Sequence, residues 1–335
     1  EVARGQRLAR PDGFVSVSMH APASGVVRRI GLTPSAAGRM VPGVFLEPYP
    51  GSTQEVTYGK PCELETATPD EIVAVIQDAG VGGLGGAAFQ THVKLVIPEG
   101  KSVDTLIING VECEPYLTSD DRLMIEAPGA VVAGALLARR ATGARTVTVC
   151  IAANKPLAME SIRAAAEGTP LGVRVFQTKY PQGGEKQLIS AALGREVPMG
   201  GLPLDIGVVV SNVGTCAAIA EAVWRGKPLV ERVVTVAGFG IPEPKNLSVR
   251  IGTPLQALLD ACGYTPLPGG TLIVGGPMVG TAQRDAATPV VKATSGLVVL
   301  SSDEVAHREE RACIRCGRCV RICPAGLMPS ELATS

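Results

Sequence analysis

Residues 80–94 read GVGGLGGAAFQTHVK, a glycine-rich loop whose first six residues satisfy the pattern G-x-G-x-x-G. In a Rossmann fold this pattern follows a strand and opens a helix. Here a helix is predicted before the loop, because Thr68 can cap residues 69–71 and apolar residues recur at helical spacing to about Ala79. The loop is therefore not a Rossmann fingerprint. Its glycines still allow backbone amides to approach a phosphate, with a plain flexible loop as the alternative.

Beyond the loop, β-like and helix-like segments alternate, which favours parallel βαβ units. The predicted strands are 104–109, 146–152, 173–178 and 206–212, and the predicted helices lie near 128–140, 155–167, 184–193 and 215–225. Asn109 ends the first of these strands, where α/β proteins bind ligands outside the carboxyl edge of the sheet. The central part of the chain is thus predicted to be a Rossmann-like α/β domain.

Residues 1 to about 60 predict a small β module with little helix, because short apolar-polar alternations are broken by Pro and Gly. The alternating runs are 14–19, 25–30 and 43–48. The segment resembles the half-barrel of biotinyl and lipoyl carrier domains. No lysine occupies the hairpin where a carrier domain holds its cofactor, so we expect a scaffold and not a carrier.

The segment after the α/β domain predicts a small α+β module at about 232–301, with short strands around one helix. That helix runs from Pro254 to Cys262 and ends at Gly263, as a helix C-cap favours. From Asp303 a charged helix is predicted to lead directly into a cysteine cluster.

Composition restricts the classes of function. The 335 residues include 31 basic and 31 acidic side chains, so the net charge is zero and nothing global favours nucleic acid. The longest apolar stretch, 129–138, is far shorter than the roughly 20 residues of a spanning helix, so any membrane link is expected to be indirect. Because the sequence begins at Glu1 and not at Met, we expect the natural N-terminus to lie upstream.

Cysteines provide the strongest chemical signal. Five of the nine are scattered singly, whereas Cys313, Cys316, Cys319 and Cys323 form a C-x-x-C-x-x-C-x-x-x-C-P run. Three thiolates converging from one tight loop suit a [4Fe-4S] cube, as in ferredoxins. A zinc site is the rival, but zinc favours two separated pairs of ligands. The distribution also indicates a reducing compartment and not a disulfide framework.

Five arginines surround the cysteine run, and their charge is expected to raise the reduction potential of an anionic cluster. They are Arg308, Arg311, Arg315, Arg318 and Arg321. Solvated surface charge is the alternative for each of them. In two-cluster ferredoxins the last cysteine of such a run ligates the other cube, so Cys323 is expected to serve a second cluster. We accordingly expect a second cysteine run downstream in the gene, and poor iron retention by the 335 residues alone.

Several segments together resemble the FMN-binding subunit of respiratory complex I and the RnfC family. Residues 85–94 (GGAAFQTHVK) resemble the family loop G-G-A-G-F-P-T-x-x-K, and 109–115 (NGVECEP) resemble N-x-x-E-x-E-P. The set is completed by 116–124 (YLTSDDRLM, typical of the Rnf branch), 180–187 (YPQGGEKQ) and 212–215 (NVGT). The resemblance extends over essentially all 335 residues. Gln90 replaces the usual Pro and Val111 replaces an acidic residue that contacts the flavin in complex I.

The resemblance implies four parts: a carrier-like β module (1–62), an FMN/NADH-binding α/β domain (63–230), a β-grasp, SLBB-like module (231–302) and an iron–sulfur segment (303–335). It also implies two groups of site residues. One group holds noncovalent FMN through loop amides, a cation, a stacking ring and polar side chains: Gly82, Gly83, Gly85, Gly86, Phe89, Lys94, Asn109, Asn212 and Thr215. The other orients NADH through carboxylates, which would repel NADPH: Glu112, Glu114 and Glu185.

The implied function is electron transfer between NADH, FMN and [4Fe-4S] clusters, in a peripheral subunit at the cytoplasmic face of the bacterial inner membrane. The implied partners are integral-membrane flavoproteins and a ferredoxin-like subunit, with ferredoxin reached indirectly. A soluble reductase of the cobalamin reductase type and a non-catalytic docking subunit are the alternatives. Hydrolase function is excluded, because His20, His92 and His307 have no metal-like spacing and form no catalytic triad.

Overall fold

The structure is a computed structural model that describes residues 1–51, 55–56, 59–62, 67–86, 88–266, 268–305, 311–323 and 326–332. The predictions for His307 and Arg308, and for most of the charged helix after Asp303, lie outside these residues. Residues 302–304 form a turn. Among the described residues, no helix has the length and apolar character needed to cross a bilayer.

The N-terminal module is built of strands β1 (Arg7–Ala9), β2 (Met19–His20), β3 (Gly25–Pro34) and β4 (Met40–Pro48). The last two form a long antiparallel ribbon with a bulge between Val27 and Arg29. The strand predicted at 14–19 is wrong except at its end, because the preceding backbone binds side chains of the next domain. The carbonyl of Phe14 lies 2.7 Å from His92 Nε2, and that of Ser16 accepts from Gln77 at 3.2 Å.

The central domain begins with helices α1 (Pro69–Asp78) and α2 (Thr91–Leu95), followed by β5 (Thr105–Gly110), α3 (Ser119–Glu126) and α4 (Pro128–Thr142). The predicted cap of α1 is confirmed: Thr68 Oγ1 accepts from the Glu71 amide at 3.3 Å, and Glu71 Oε2 accepts from the Thr68 amide at 2.8 Å. Such a reciprocal cap satisfies two otherwise unpaired backbone donors. The sequence did not reveal α2 and α3.

The rest of the domain alternates β6 (Thr146–Ala152), α5 (Pro156–Ala166), β7 (Leu171–Phe176), α6 (Glu185–Leu193), a short 3₁₀ turn (Pro203–Ile206), β8 (Val208–Asn212) and α7 (Val213–Arg225). The strands form a parallel sheet in the order β7-β6-β5-β8, as predicted. The chain therefore winds outward from β5 to β7 and returns on the other side of β5. This change of direction leaves a crevice at the carboxyl ends of β5 and β8.

One face of the sheet is covered by α4 and α7, which cross at close range. Gly134 makes this crossing possible, because a Cβ atom there would lie 1.7 Å from the Cys216 carbonyl oxygen. The surrounding core consists of fully buried aliphatic side chains such as Ile108, Val149 and Ile219. This packing fixes the sheet edge from which the crevice opens.

The third module contains β9 (Glu231–Ala237), β10 (Lys245–Arg250), α8 (Leu255–Ala261), β11 (Thr271–Val274), β12 (Thr281–Gln283) and β13 (Gly296–Leu300). Its sheet has the order β10-β9-β13-β11-β12, with only β9 and β13 parallel. Leu255, Leu258 and Leu259 of α8 are buried against it. The α+β prediction is confirmed, although β12 was not expected. The tail carries α9 (Arg318–Ile322) and α10 (Pro329–Leu332).

Candidate functional site: a two-part cleft at the sheet edge

A cleft opens at the carboxyl ends of β5 and β8, where the strand order reverses. It has two compartments that share the wall residues Gly85, Asn109, Gly183 and Asn212. The inner compartment, of about 280 Å³, lies between the glycine loop and the start of α6. The outer compartment, of about 580 Å³, lies between the central domain and the third module. The sequence placed Asn109 and Asn212 here because both end parallel strands.

The glycine loop is a tight hairpin anchored to α7. The Gly83 amide donates to the Phe89 carbonyl at 2.8 Å, and the Leu84 amide donates to Thr215 Oγ1 at 2.9 Å. Two of the five amides assigned to a phosphate are therefore already used. Gly82 forms a bridge with Gln90 and lines neither compartment. Gln90 thus closes the turn without the proline of the family loop.

The amides of Gly85 and Gly86 are the ones that remain for a ligand, since neither has a hydrogen-bond partner within the described part of the chain. At Gly85 a Cβ atom would lie 2.9 Å from Asn212 Cβ, so the position has no room for a side chain. Gly86 has φ of +115° and faces open space. This is a cradle that glycine alone permits.

The inner compartment carries one charged pair. Lys94 Nζ donates to Glu185 Oε1 at 2.7 Å and to the Val210 carbonyl at 3.3 Å. Glu185 is the first residue of α6, where the helix dipole favours a carboxylate. Phe89 is 41% exposed at the rim. The compartment therefore offers a cation, an accessible ring and loop amides within one space.

The outer compartment contains a carboxylate with one free oxygen. Glu114 Oε2 accepts from the Met278 amide of the third module at 3.0 Å. Its Oε1 is buried and has no partner among the described residues. An orphaned buried acceptor beside a cavity is suited to a hydroxyl or amide donor of a ligand.

Glu112 is held in the wall of the outer compartment. Its carboxylate accepts from the Asp120 amide at 2.7 Å and the Asp121 amide at 3.2 Å, and pairs with Lys155 Nζ at 2.7 Å. The Glu112 and Lys155 side chains are 5% and 6% exposed. These contacts fix the start of α3 against β6. A direct contact of Glu112 with NADH stays a prediction.

Asp120 is a wall residue that the sequence analysis quoted in a motif but did not assign to the site. Its Oδ2 accepts from Asn212 Nδ2 at 2.6 Å, while Asn212 Oδ1 caps α7 by accepting from the amides of Gly214 and Thr215. Burial, together with the nearby charge of Glu112, raises the pKa of Asp120 to about 7. Its place in the Thr118–Arg122 stretch was the available signal.

The four tail cysteines are free thiols on the surface, with Cys313, Cys316 and Cys319 exposed and Cys323 partly buried. Backbone amides already point at two sulfurs: Arg315 N donates to Cys313 Sγ and Leu327 N to Cys323 Sγ, both at 3.4 Å. In the described ranges, no three His, Cys, Asp or Glu side chains converge as around a single metal ion. Accessible thiols with amide donors are the donor set that an iron–sulfur cluster uses.

Neither described histidine is placed to bind a metal. His92 is buried with Nε2 on the Phe14 carbonyl. Burial, followed by the charge of Lys292, lowers the pKa of His20 to about 4. Both side chains belong to the contact between the N-terminal module and α1 and α2.

Family models match the chain in four places. Residues 1–49 match the RnfC barrel sandwich hybrid domain, 76–221 the Nuo51 FMN-binding domain, 233–282 the SLBB domain and 305–328 a 4Fe-4S binding domain. The predicted fold class is therefore confirmed, and the chain contains FMN-binding and 4Fe-4S binding domains. Each match lies inside one of the predicted ranges, whose boundaries stay a prediction.

Similar proteins extend over nearly the whole chain. The RnfC-type subunit of the proton-translocating ferredoxin:NAD(+) oxidoreductase complex of Clostridium ljungdahlii is 44% identical over 335 residues, covering 99% of this chain and 73% of that protein. Its Na(+)-translocating counterpart from Acetobacterium woodii is 43% identical over 330 residues, covering 98% and 74%. The equivalent subunit of the ion-translocating oxidoreductase complex of Rhodobacter capsulatus is 42% identical, covering 99% and 64%.

Solved structures agree on the fold. A chain of the NAD+-reducing [NiFe]-hydrogenase in its H2-reduced state superposes with a TM-score of 0.59 at 24% identity, covering 72% of this chain and 50% of that chain. The air-oxidized state gives a TM-score of 0.58 at 25% identity, covering 70% and 47%. This chain thus spans about half the length of those hydrogenase chains.

Proposed function

This chain belongs to the RnfC family, and from that membership we propose that it transfers electrons between NAD(H), FMN and [4Fe-4S] clusters in a membrane-bound ferredoxin:NAD(+) oxidoreductase. The family resemblance predicted from the sequence is confirmed by relatives that are 42% to 44% identical. The chain is one subunit of an oxidoreductase complex. We propose further that it is itself the NADH-dependent catalyst of the complex.

The observation that carries this proposal is the two-part cleft with shared walls. A ligand in the inner compartment and one in the outer compartment meet at Gly85, Asn109, Gly183 and Asn212. Two ligands that exchange a hydride require such direct contact. The combined space also suits two extended ligands, since pockets for single small molecules span about 300 to 1,000 Å³.

The inner compartment fits FMN. We assign the phosphate to the free amides of Gly85 and Gly86, with Lys94 supplying positive charge and Phe89 a ring face. Asn109 and Asn212 carry amides at the strand ends, although Asn109 Nδ2 already donates to the Gly183 carbonyl at 2.8 Å. When bound, FMN supplies the conversion between a hydride and the single electrons that a [4Fe-4S] cluster accepts.

The outer compartment fits NADH. The unpartnered Oε1 of Glu114 accepts a hydroxyl or the carboxamide, and Glu185 offers a second carboxylate from the inner side. Glu112 and Asp120 keep the wall in place from behind. Residues 274–281 of the third module close the far side and limit access of water. Carboxylates in this space disfavour the extra phosphate of NADPH.

The cysteine run is assigned to [4Fe-4S] ligation, with Cys313, Cys316 and Cys319 on one cluster and Cys323 on another. For partners, we propose integral-membrane flavoproteins and a ferredoxin-like subunit, with ferredoxin reached indirectly. The protein is then peripheral at the cytoplasmic face of the bacterial inner membrane.

The test uses protein reconstituted anaerobically with FMN, iron and sulfide. A flavin spectrum that bleaches on addition of NADH, with electrons then reaching an artificial acceptor, is the expected result. Protein that binds no FMN, or holds FMN that NADH leaves oxidised, would overturn the catalytic role. Copurification with detergent-extracted membrane subunits tests the location and partners, and recovery of the native protein free of any membrane subunit would contradict them.

A further inference from the structure

Lys292, in the loop between β12 and β13, ties three modules together at the start of the glycine loop. Its Nζ donates to the Gly80 carbonyl at 2.6 Å and to the Ser18 carbonyl at 3.2 Å. Burial lowers the pKa of Lys292 to about 8, which leaves the ammonium largely protonated at neutral pH. Both hydrogen bonds are therefore charge-assisted.

Arg232, on β9, reaches the other end of the same loop segment. The side chain is 7% exposed and has no ion-pair partner among the residues that the structure describes. It donates instead to the carbonyls of Val233 at 3.1 Å, Leu84 at 3.4 Å and Lys292. A buried guanidinium is costly, so this arrangement of three carbonyl acceptors is a specific feature of the interface.

The contact with Leu84 has a geometric consequence for the cleft. In a trans peptide the C=O and the following N–H point in opposite directions. Because the Leu84 carbonyl faces Arg232, the Gly85 amide faces the other way. Gly85 lines both compartments, and its amide is one of the two without a protein partner. The preceding peptide is fixed as well, since the Leu84 amide donates to Thr215 Oγ1.

We propose that Lys292 and Arg232 are positioning residues by which the third module holds the ends of the glycine segment 80–84 through its carbonyls and so aims the Gly85 amide at the FMN phosphate. The proposal rests on FMN binding in the inner compartment. The SLBB-like module is then part of the flavin site, although its two cations touch no ligand.

The experiment compares five reconstituted proteins: wild type, Lys292→Met, Lys292→Arg, Arg232→Met and the control Lys245→Met. Lys245 lies on β10 of the same module and also donates to a carbonyl, that of Ala261, at 2.8 Å. The Kd for FMN is measured by quenching of flavin fluorescence, and folding is checked by circular dichroism and thermal melting. NADH kinetics are then recorded at saturating FMN.

We expect Lys292→Met and Arg232→Met to bind FMN about tenfold more weakly, whereas Lys245→Met binds like wild type. Lys292→Arg keeps the charge and the donors, so it restores the affinity to within about threefold of wild type. At saturating FMN, KM for NADH and kcat of the folded variants stay near the wild-type values. A change of general stability alone would not produce this pattern.

FMN affinity equal to wild type in folded Lys292→Met and Arg232→Met overturns the positioning role. If either Met variant does not fold, the comparison of the other with wild type and Lys292→Arg decides, and an Lys292→Arg protein as weak as the worst variant also overturns it. A wild-type chain that binds no FMN would instead refute the proposed function, so the two failures are distinguishable.

Discussion

Lys94 and Glu185 form a 2.7 Å ion pair across the inner compartment, although 91 residues separate them in the chain. The family pattern assigns the lysine to FMN and the glutamate to NADH. Their pairing means that the charge offered to one ligand depends on the residue offered to the other. Both side chains are more than a third exposed, so the pair is worth little to stability and its effect belongs to binding.

Coenzyme selectivity follows from this pair. In Glu185→Gln the amide no longer repels a 2′-phosphate and accepts less strongly from ribose, so we expect KM for NADH to rise roughly three- to tenfold and the preference over NADPH to shrink. Steady-state reduction of an artificial acceptor measures both. Glu196→Gln, an exposed glutamate beyond α6, is the matched control. Unchanged NADH kinetics with unchanged selectivity would place the ribose elsewhere.

The cradle at Gly86 predicts a colourless but folded variant. Gly86→Val forces a β-branched residue to φ of +115° and places its side chain in the open cleft, so FMN is excluded while the fold loses about 1–3 kcal/mol. Gly100→Val is the control, because Gly100 has φ of +79° and equally empty surroundings on a turn outside the cleft. Flavin absorbance after reconstitution is the measurement. Full flavin content in Gly86→Val would move the phosphate away from this loop.

Asp120 predicts a defined pH dependence of stability. Its pKa rises from its ordinary value near 4 to about 7 on folding, so the folded state binds an extra proton between these values. The stability from protonated Asp120 is complete below about pH 4 and is lost as pH rises through about 7. Asp120→Asn imitates the protonated form.

The Tm of Asp120→Asn relative to wild type should therefore increase from pH 5 to pH 8. We expect a change on the order of 1–2 kcal/mol, below the full shift because Asp120 is only partly buried. Taking the difference between two proteins cancels all other titrating groups. A Tm difference that stays constant with pH would show that Asp120 is ionised throughout the range.

The crossing of α4 and α7 predicts opposite effects for two glycines of one helix. Gly134→Ala places a methyl group 1.7 Å from the Cys216 carbonyl oxygen, so the helices must separate, at a cost of about 1–3 kcal/mol or more. Gly129→Ala meets no atom within 4 Å and should stabilise α4 by about 0.5–1 kcal/mol. Urea unfolding gives both free energies. Equal stability of the two variants would contradict the close crossing.

Local pattern was sufficient to predict the parallel sheet and the α1 cap, because alternation and capping residues act over a few positions. It failed at residues 14–19, where alternation indicated a strand but the carbonyls of Phe14 and Ser16 bind side chains of α1 and α2. Site residues at strand ends, such as Asn109, were predictable for the same topological reason. The Lys94–Glu185 pair, the use of the Leu84 amide by Thr215 and the role of Arg232 were not, since each depends on packing between distant segments.

The hydrogen bond from Leu84 to Thr215 joins residues that are 131 positions apart. During synthesis the glycine loop leaves the ribosome long before Thr215 exists, so it lacks one of its two anchors until α7 has been made. Arg232 and Lys292 are translated later still. The flavin pocket is therefore completed only when most of the chain has been produced and folded. Cofactor loading must follow translation, and growth under flavin shortage should accumulate folded apoprotein and not stalled nascent chains.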